Sequence, residues 1–145
     1  AGSTAGLYSM LMSSNSLSNG TQNDFAKAAN VTFTPGSSNN LIRHPGSIVP
    51  TGTLTGAAAC PHLHKLAYNG GPTATHRLGG VIHAAGKNPA IDTGSNPKAL
   101  KPDQRGGYYL ATAPARVSGS AADIGAYEVS QVDVVFDTDF ETCPN

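Results

Sequence analysis

Four carboxylates in the second half of the chain are the first candidates for chemistry, and each lies inside a short turn sequence. They are Asp92, Asp103, Asp123 and Glu128. Groups of Asp and Glu can act as acid and base in polysaccharide cleavage, or as calcium ligands. A turn favours a structural role instead, because irregular backbone has many N–H groups that need acceptors. We therefore predict no catalytic residue among these four.

Arg105 is the predicted partner of these carboxylates, with Arg77 as a second cation in the same part of the chain. A guanidinium offers five donors in a fixed fork and stays charged, so one Arg can join several turns. We predict a structural clamp in which Arg105 bonds to one or more of Asp92, Asp103 and Asp123. The alternative is a ligand site, because Tyr108 and Tyr109 follow Arg105 closely and tyrosine rings can stack on sugars.

Two histidines have a spacing that could serve a metal ion. His62 and His64 stand at positions i and i+2, which share one face of a strand, and His76 or His83 would be a third ligand. We assign no Cys and no carboxylate to the pair as a ligand at tight spacing. We predict no metal site, keep His62 and His64 as the weak candidates, and interpret His76 as a hydrogen-bonded structural residue.

Other chemistry is not indicated by the sequence. The chain has no Gly-x-Ser-x-Gly, no Gly-rich loop ending in Lys-Ser or Lys-Thr, and no Cys-x-x-Cys, so we predict no cofactor. The formal net charge is zero and the nine Lys and Arg residues are scattered singly, which argues against a nucleic-acid partner. No apolar run approaches the roughly 20 residues of a membrane span.

The elements that would position these residues are short strands and turns. The 145 residues include 17 Gly and 10 Pro, and only 12% are charged, a composition that favours a turn-rich β protein over helices. In the first forty residues, alternating patterns predict strands at 7–12 and 31–34. Asn15 and Asn40 each precede an apolar phrase, and the 25 residues between them fit one rung of a solenoid. Asn at such turns can bond to the neighbouring turn.

The second half carries four turn phrases in a fixed order. They are Asn69-Gly70-Gly71-Pro72, Asn88-Pro89-Ala90-Ile91-Asp92, Asp103-Gln104-Arg105-Gly106 and Asp123-Ile124-Gly125-Ala126. This ordered set resembles the C-terminal module that closes right-handed parallel β-helices in large secreted or surface-anchored bacterial proteins, the group described as choice-of-anchor Q or polymorphic-outer-membrane-protein-like. The resemblance implies an all-β fold, with the last rungs of a right-handed parallel β-helix followed by an irregular, turn-rich cap.

Secretion, which the resemblance implies, bears on the two cysteines. Disulfides persist in secreted proteins, so Cys60 and Cys143 are predicted to pair and to close a loop of more than eighty residues. The alternative is two free thiols. A bridge of that span contributes roughly 4–5 kcal/mol in the loop-entropy model.

We predict three parts: terminal rungs at 1–52, a closing module at 53–130, and a tail at 131–145. The alternative is one continuous domain, with Ile48-Val49 and Leu54 in a further short strand. The tail is acidic with apolar residues on one strand face, and it resembles the short sorting or anchoring ends of many exported gammaproteobacterial proteins. Docking of the tail as a last strand is the alternative.

The sequence thus predicts a non-catalytic, structural or interaction role in a secreted or surface-displayed bacterial protein. We expect any export signal to lie upstream of Ala1. The predicted partners are an upstream β-helix of the same precursor or another copy, and surface glycans. Two alternatives remain: the C-terminal part of a polysaccharide lyase or hydrolase whose active site lies upstream, and a processed subunit bound to the rest of its precursor.

Overall fold

The computed structural model describes residues 2–79, 88–106, 115–130 and 143. Tyr108, Tyr109, His83 and the tail apart from Cys143 lie outside these residues, so their predicted roles stay predictions. Within the described chain the regular elements are four short strands and one 3₁₀ helix. The strands are β1 (Ser3–Ala5), β2 (Leu11–Met12), β3 (Val31–Phe33) and β4 (Leu41–Ile42), and the 3₁₀ helix is Gly56–Ala59. The predicted all-β, turn-rich class is confirmed at this coarse level.

The strands pair in parallel, and each pair joins residues about one coil of chain apart. In the β1–β3 pair, Ser3 lies opposite Val31, and in the β2–β4 pair, Leu11 lies opposite Leu41. Parallel neighbours require a long crossover, and here it contains no helix. Opposed residues are therefore separated by 28 positions in the first pair and 30 in the second.

The predicted 25-residue rung is wrong in register. Asn40 lies beside Met10 of the preceding coil, since the Met10 N–H donates to the Asn40 Oδ1 over 3.0 Å. Asn15 instead turns its backbone N–H and its side-chain amide towards the buried Asp24 carboxylate, at 2.8 and 3.0 Å. The local sequence phrases were similar, but a carboxylate nine residues downstream offered Asn15 a closer partner.

A third layer continues the ladder beyond β4. Leu54 forms a parallel bridge to Leu41, with the Ile42 N–H donating to the Leu54 carbonyl over 2.9 Å and the Leu54 N–H to the Asn40 carbonyl over 2.8 Å. We call residues 2–54 the coil segment and the described part of residues 55–130 the turn-rich segment. Backbone bonds of the ladder thus cross the boundary predicted at 52–53, and the division into domains stays a prediction.

The apolar core lies between the two segments. The buried cluster consists of Leu41, Ala59, Leu63, Leu78, Ala90, Ile91 and Ile124, with Leu11, Leu54 and Val129 packed against it. Backbone contacts follow the same seam, because the Gly125 N–H donates to the Ser9 carbonyl over 2.9 Å. The Asn39 side chain donates to the Thr93 carbonyl, also over 2.9 Å. The turn-rich segment therefore lies against the side of the coil.

Asn40 is the polar residue that ties the two coils together inside this structure. Its side chain is fully buried, accepts from the Met10 N–H and donates to the Leu7 carbonyl over 3.2 Å. Buried backbone groups that lose their partner carry the whole desolvation cost, about 1–3 kcal/mol each. One side chain thus gives the Met10 N–H its acceptor and gives the Leu7 carbonyl, which also accepts from the Ser38 N–H over 3.1 Å, a second donor.

We predict that Asn40→Ala lowers the free energy of unfolding by about 1–3 kcal/mol, because the Met10 N–H loses its acceptor while the Leu7 carbonyl keeps its bond from the Ser38 N–H. Urea unfolding followed by circular dichroism measures the change. Asn19→Ala is the matched control, since Asn19 accepts a single exposed hydrogen bond from the Thr21 N–H. Equal, small effects of the two substitutions would show that Asn40 does not join the coils.

Candidate functional site

Arg105 is buried, with 6% of its surface exposed, and its fork joins two turns. Its Nε and Nη2 lie 2.8 and 2.7 Å from the Asp103 Oδ2, and its Nη2 donates to the Glu128 carbonyl over 2.7 Å. The guanidinium also stacks on the Tyr127 ring, 3.8 Å from its centroid, which is a cation–π contact. Of the three predicted aspartate partners, the structure places Asp103 directly in the fork.

Asp103 also accepts hydrogen bonds from the backbone around this contact. Its Oδ1 accepts from the Arg105 N–H over 2.8 Å, and its Oδ2 accepts from the Glu128 N–H over 2.9 Å. The turn at Gly71 lies against this unit, because a Cβ there would collide with the Arg105 backbone. Gly71 has φ of 95°, a conformation that favours glycine. The Gly70-Gly71 phrase therefore allows the hairpin of residues 67–75 to approach the clamp.

A second clamp, which sequence reasoning missed, is built on Arg116. Its Nη1 donates to the Glu128 Oε2 over 3.0 Å, and its Nη2 donates to the carbonyls of Asp123 and Gly125 over 2.9 and 3.1 Å. Glu128 accepts further from the N–H groups of Ser118, over 2.8 Å, and Asp123, over 2.9 Å. The sequence did carry a signal for this clamp. A group of four carboxylates needs more than one cation, and Arg116 lies between the turn phrases that begin at Asp103 and Asp123.

Asp123 and Asp92 accept hydrogen bonds from backbone amides of neighbouring turns. The Asp123 carboxylate accepts from the Asp92 N–H over 2.8 Å and from the Val129 N–H over 2.7 Å. The Asp92 Oδ1 accepts from the Ser120 N–H over 2.9 Å, and a Cβ at Gly119 would collide with this carboxylate. Each aspartate thus fastens one loop to the next.

The electrostatics of this network are set by burial. Desolvation raises the pKa of Asp123 and of Glu128, while backbone N–H donors and the Arg116 charge oppose the rise. Raised carboxyl pKa values also occur in general acids. Both side chains, however, are 99% buried and their oxygens face protein donors, so a substrate has no access to them. The arrangement suits a structural network better than acid–base chemistry.

The predicted disulfide is present. Cys60 and Cys143 are bonded, with their Cα atoms 5.8 Å apart and a sequence separation of 83. The bond attaches residue 143 to the turn that follows the 3₁₀ helix. The alternative of two free thiols is thereby wrong for this structure.

His62 and His64, the weak candidates for a metal site, have different neighbours in the structure. Among the described residues, the one group of three potential metal-ligating side chains is Cys60, His62 and Cys143, whose ligand atoms lie within 4.8 Å of one another. His64 is not a member of this group. His64 instead pairs with His76, whose Nδ1 lies 2.7 Å from the His64 carbonyl oxygen. The i, i+2 argument fails because His62 has φ of 43°, so the two residues do not follow one extended strand.

An open groove lies where the coil and turn-rich segments meet. Two neighbouring cavities of about 220 and 460 Å³ share a wall formed by Leu11, Gln104, Gly125 and Ala126. The Arg105 guanidinium does not line either cavity. The structure therefore gives no contact through which Arg105 would reach a bound sugar in this groove.

In the described part of the chain, no helix has the length and apolar character to cross a membrane. No protein-family model, curated protein or solved structure matches the sequence or the structure of this chain. The resemblance drawn from the four turn phrases therefore stays a prediction.

We predict that Arg105→Ala lowers the free energy of unfolding by roughly 3–5 kcal/mol, because Asp103 would remain buried without its cation. Arg105→Lys should also destabilise, since an ammonium cannot span Asp103 and the Glu128 carbonyl from one planar fork. Thermal unfolding measures both effects, with Arg77→Lys, at a partly exposed site, as the control.

A binding assay against surface glycans, run on the same variants, distinguishes the two roles predicted for Arg105. Unchanged melting of Arg105→Lys together with lost glycan binding would place Arg105 in a ligand site and would contradict the clamp.

Proposed function

We propose that this chain is the C-terminal part of a secreted or surface-displayed bacterial protein, with a structural or interaction role and no catalytic activity of its own. In this proposal residues 2–54 are the final rungs of a right-handed parallel β-helix, and the turn-rich segment is the cap that closes it. The observation that carries the proposal is the parallel pairing of strands one helix-free coil apart.

The strand register supports a solenoid, because a leucine occupies the same place on the ladder in three successive layers. Leu11, Leu41 and Leu54 succeed one another along a single parallel ladder, and Leu41 in the middle is fully buried. In a solenoid each repeat buries its apolar face against its neighbours. Parallel crossovers are right-handed in nearly all proteins, which is the reason for proposing that hand.

The carboxylates support a role without catalysis. Asp103, Asp123 and Glu128 are at most 5% exposed, and Arg105, Arg116 and backbone N–H groups occupy their oxygens. Acid–base cleavage of a polysaccharide requires two carboxyl groups that both reach the scissile bond. A polysaccharide-degrading activity, if the intact protein has one, would then reside in an upstream region.

The disulfide supports the proposal that the protein is secreted or displayed on the cell surface. The Cys60–Cys143 bond is the kind of crosslink that persists in oxidising environments outside the cytoplasm. A crosslink over 83 positions also stabilises the fold, because it reduces the entropy of the unfolded chain in the loop-entropy model.

The partner that this proposal requires would bind the outer edge of β1. In a parallel ladder alternate residues point their N–H and C=O groups to opposite sides. The Ser3 N–H and the Ala5 carbonyl bond towards the second coil, so Thr4 between them turns its backbone groups to the outer side. Such an edge is a template for another strand, which we propose is a preceding rung or the same edge of a second copy.

We predict that the 145-residue chain self-associates through this edge and that Thr4→Pro reduces the association at least tenfold. Proline removes the outward N–H of Thr4 while leaving the Ser3 and Ala5 bonds to the second coil. Light scattering after size-exclusion chromatography, over a range of concentrations, measures the association.

Thr4→Ala is the matched control, because it keeps the backbone N–H. Equal association of Thr4→Pro, Thr4→Ala and the unmodified chain, or a monomer at every concentration, would contradict β1 as the docking edge.

A further inference from the structure

Three side chains that bind soft metal ions meet beside the disulfide. The sulfur atoms of Cys60 and Cys143 and a ring nitrogen of His62 lie within 4.8 Å of one another. Two thiolates and one imidazole are the ligands that Zn²⁺ prefers in proteins. The two sulfur atoms are joined in the disulfide, so after reduction they must move apart to the roughly 3.4–3.8 Å that separates tetrahedral ligand atoms at the usual Zn–S and Zn–N distances.

The backbone that carries two of these ligands is fixed without the help of the disulfide. The Asn88 side chain donates to the Pro61 carbonyl over 2.6 Å and to the Gly79 carbonyl over 2.7 Å. The Gly79 N–H donates to the His62 carbonyl over 2.7 Å. Asn88 is 99% buried, so this small unit is shielded from water. Cys60 and His62 therefore keep their relative position when the disulfide opens.

The conformation of His62 explains why its ring faces the cysteines. Its φ of 43° lies in the left-handed region, which non-glycine residues adopt rarely and mostly at functional or tightly constrained positions. A regular strand would have placed the imidazole beside that of His64 instead.

We propose that the Cys60–Cys143 disulfide is one of two states of this site, and that the reduced state binds Zn²⁺ through Cys60, Cys143 and His62. In an oxidising location the disulfide is the resident state, and the reduced state forms only where a dithiol reductant is present. The reductant supplies two electrons and two protons, becomes a disulfide itself, and leaves two thiols. Zn²⁺ then displaces the two thiol protons and takes the lone pair of the neutral His62 imidazole. The fourth position holds water, so the site is open.

The exposure of the two cysteines determines where a reductant attacks, and the ligand atoms determine which metal ion fits. Cys143 is partly exposed while Cys60 is 8% exposed, so a thiol reagent attacks at the Cys143 side. The ligand set has no carboxylate or carbonyl oxygen, which excludes Ca²⁺ and Mg²⁺ as the fitting ions. In both states residue 143 stays attached to the turn at residues 60–62, by a covalent bond or through the metal.

The test is a titration of the full chain with Zn²⁺ alone, before and after reduction with a dithiol that is then removed under anaerobic conditions. A chromophoric chelator reports the affinity, and Co²⁺ as a spectroscopic substitute reports thiolate ligation by its charge-transfer absorption. We expect one ion per reduced chain and no binding at this site in the oxidised chain. Affinity should fall on acidification, because both thiols must lose their protons.

The variants identify the ligands. His62→Ala should weaken Zn²⁺ binding by roughly tenfold or more, and Cys143→Ser should abolish the two-thiolate absorption of the Co²⁺ form. His64→Ala is the matched control and should leave the affinity unchanged. If reduction unfolds the chain, addition of Zn²⁺ should restore the folded circular dichroism spectrum in the unmodified chain more than in His62→Ala.

Several results would overturn the proposal. They are no Zn²⁺ binding after reduction, binding that is equal in the unmodified chain and His62→Ala, and binding that His64→Ala weakens as much as His62→Ala does. The last two would mean that the ion is held by thiols or by scattered imidazoles rather than by this site.

Discussion

Irregular backbone must find acceptors for its N–H groups, and this requirement governs the turn-rich segment. In the coil segment, strand ladders meet part of the need. Elsewhere carboxylate oxygens take that place: Asp92, Asp103, Asp123 and Glu128 between them accept from seven or more backbone amides. Three of these acids, Asp103, Asp123 and Glu128, are buried, and Arg105 and Arg116 bond to the carboxylates of Asp103 and Glu128.

The same constraint connects the two segments. Asp24 in the coil binds the N–H groups of Asn15 and His44 as the four acids do in the turn-rich segment, and Asn40 does so with a neutral amide. The apolar core then needs only short side chains and a few leucines, since polar contacts fix the loops around it. A fold built this way tolerates little change at its buried polar residues, whereas its exposed turns are under fewer constraints.

Sequence reasoning reached the coarse class of the fold and one contact of the acids, that of Asp103 with Arg105, but not their other partners. The frequent Gly and Pro residues predicted short strands and turns. The strand Val31–Phe33 lies where the alternation of apolar and polar residues predicted one. Register failed because Asn15 and Asn40 look alike locally, while the choice between them depends on Asp24. Arg116 was missed because its partners, Asp123 and Gly125, become neighbours only through three-dimensional closure. His62 was placed in an extended strand because nothing in the local sequence announces a positive φ at a histidine.

Native-state hydrogen exchange of Glu128→Gln tests most directly whether the buried acids act as one network. Glutamine keeps the shape but turns an N–H donor towards amides that need an acceptor. The account predicts that protection falls together at Ser118 and Asp123, which Glu128 binds, and at Asp92 and Val129, which Asp123 binds. Loss of protection confined to Ser118 and Asp123, with Asp92 and Val129 unchanged, would contradict it.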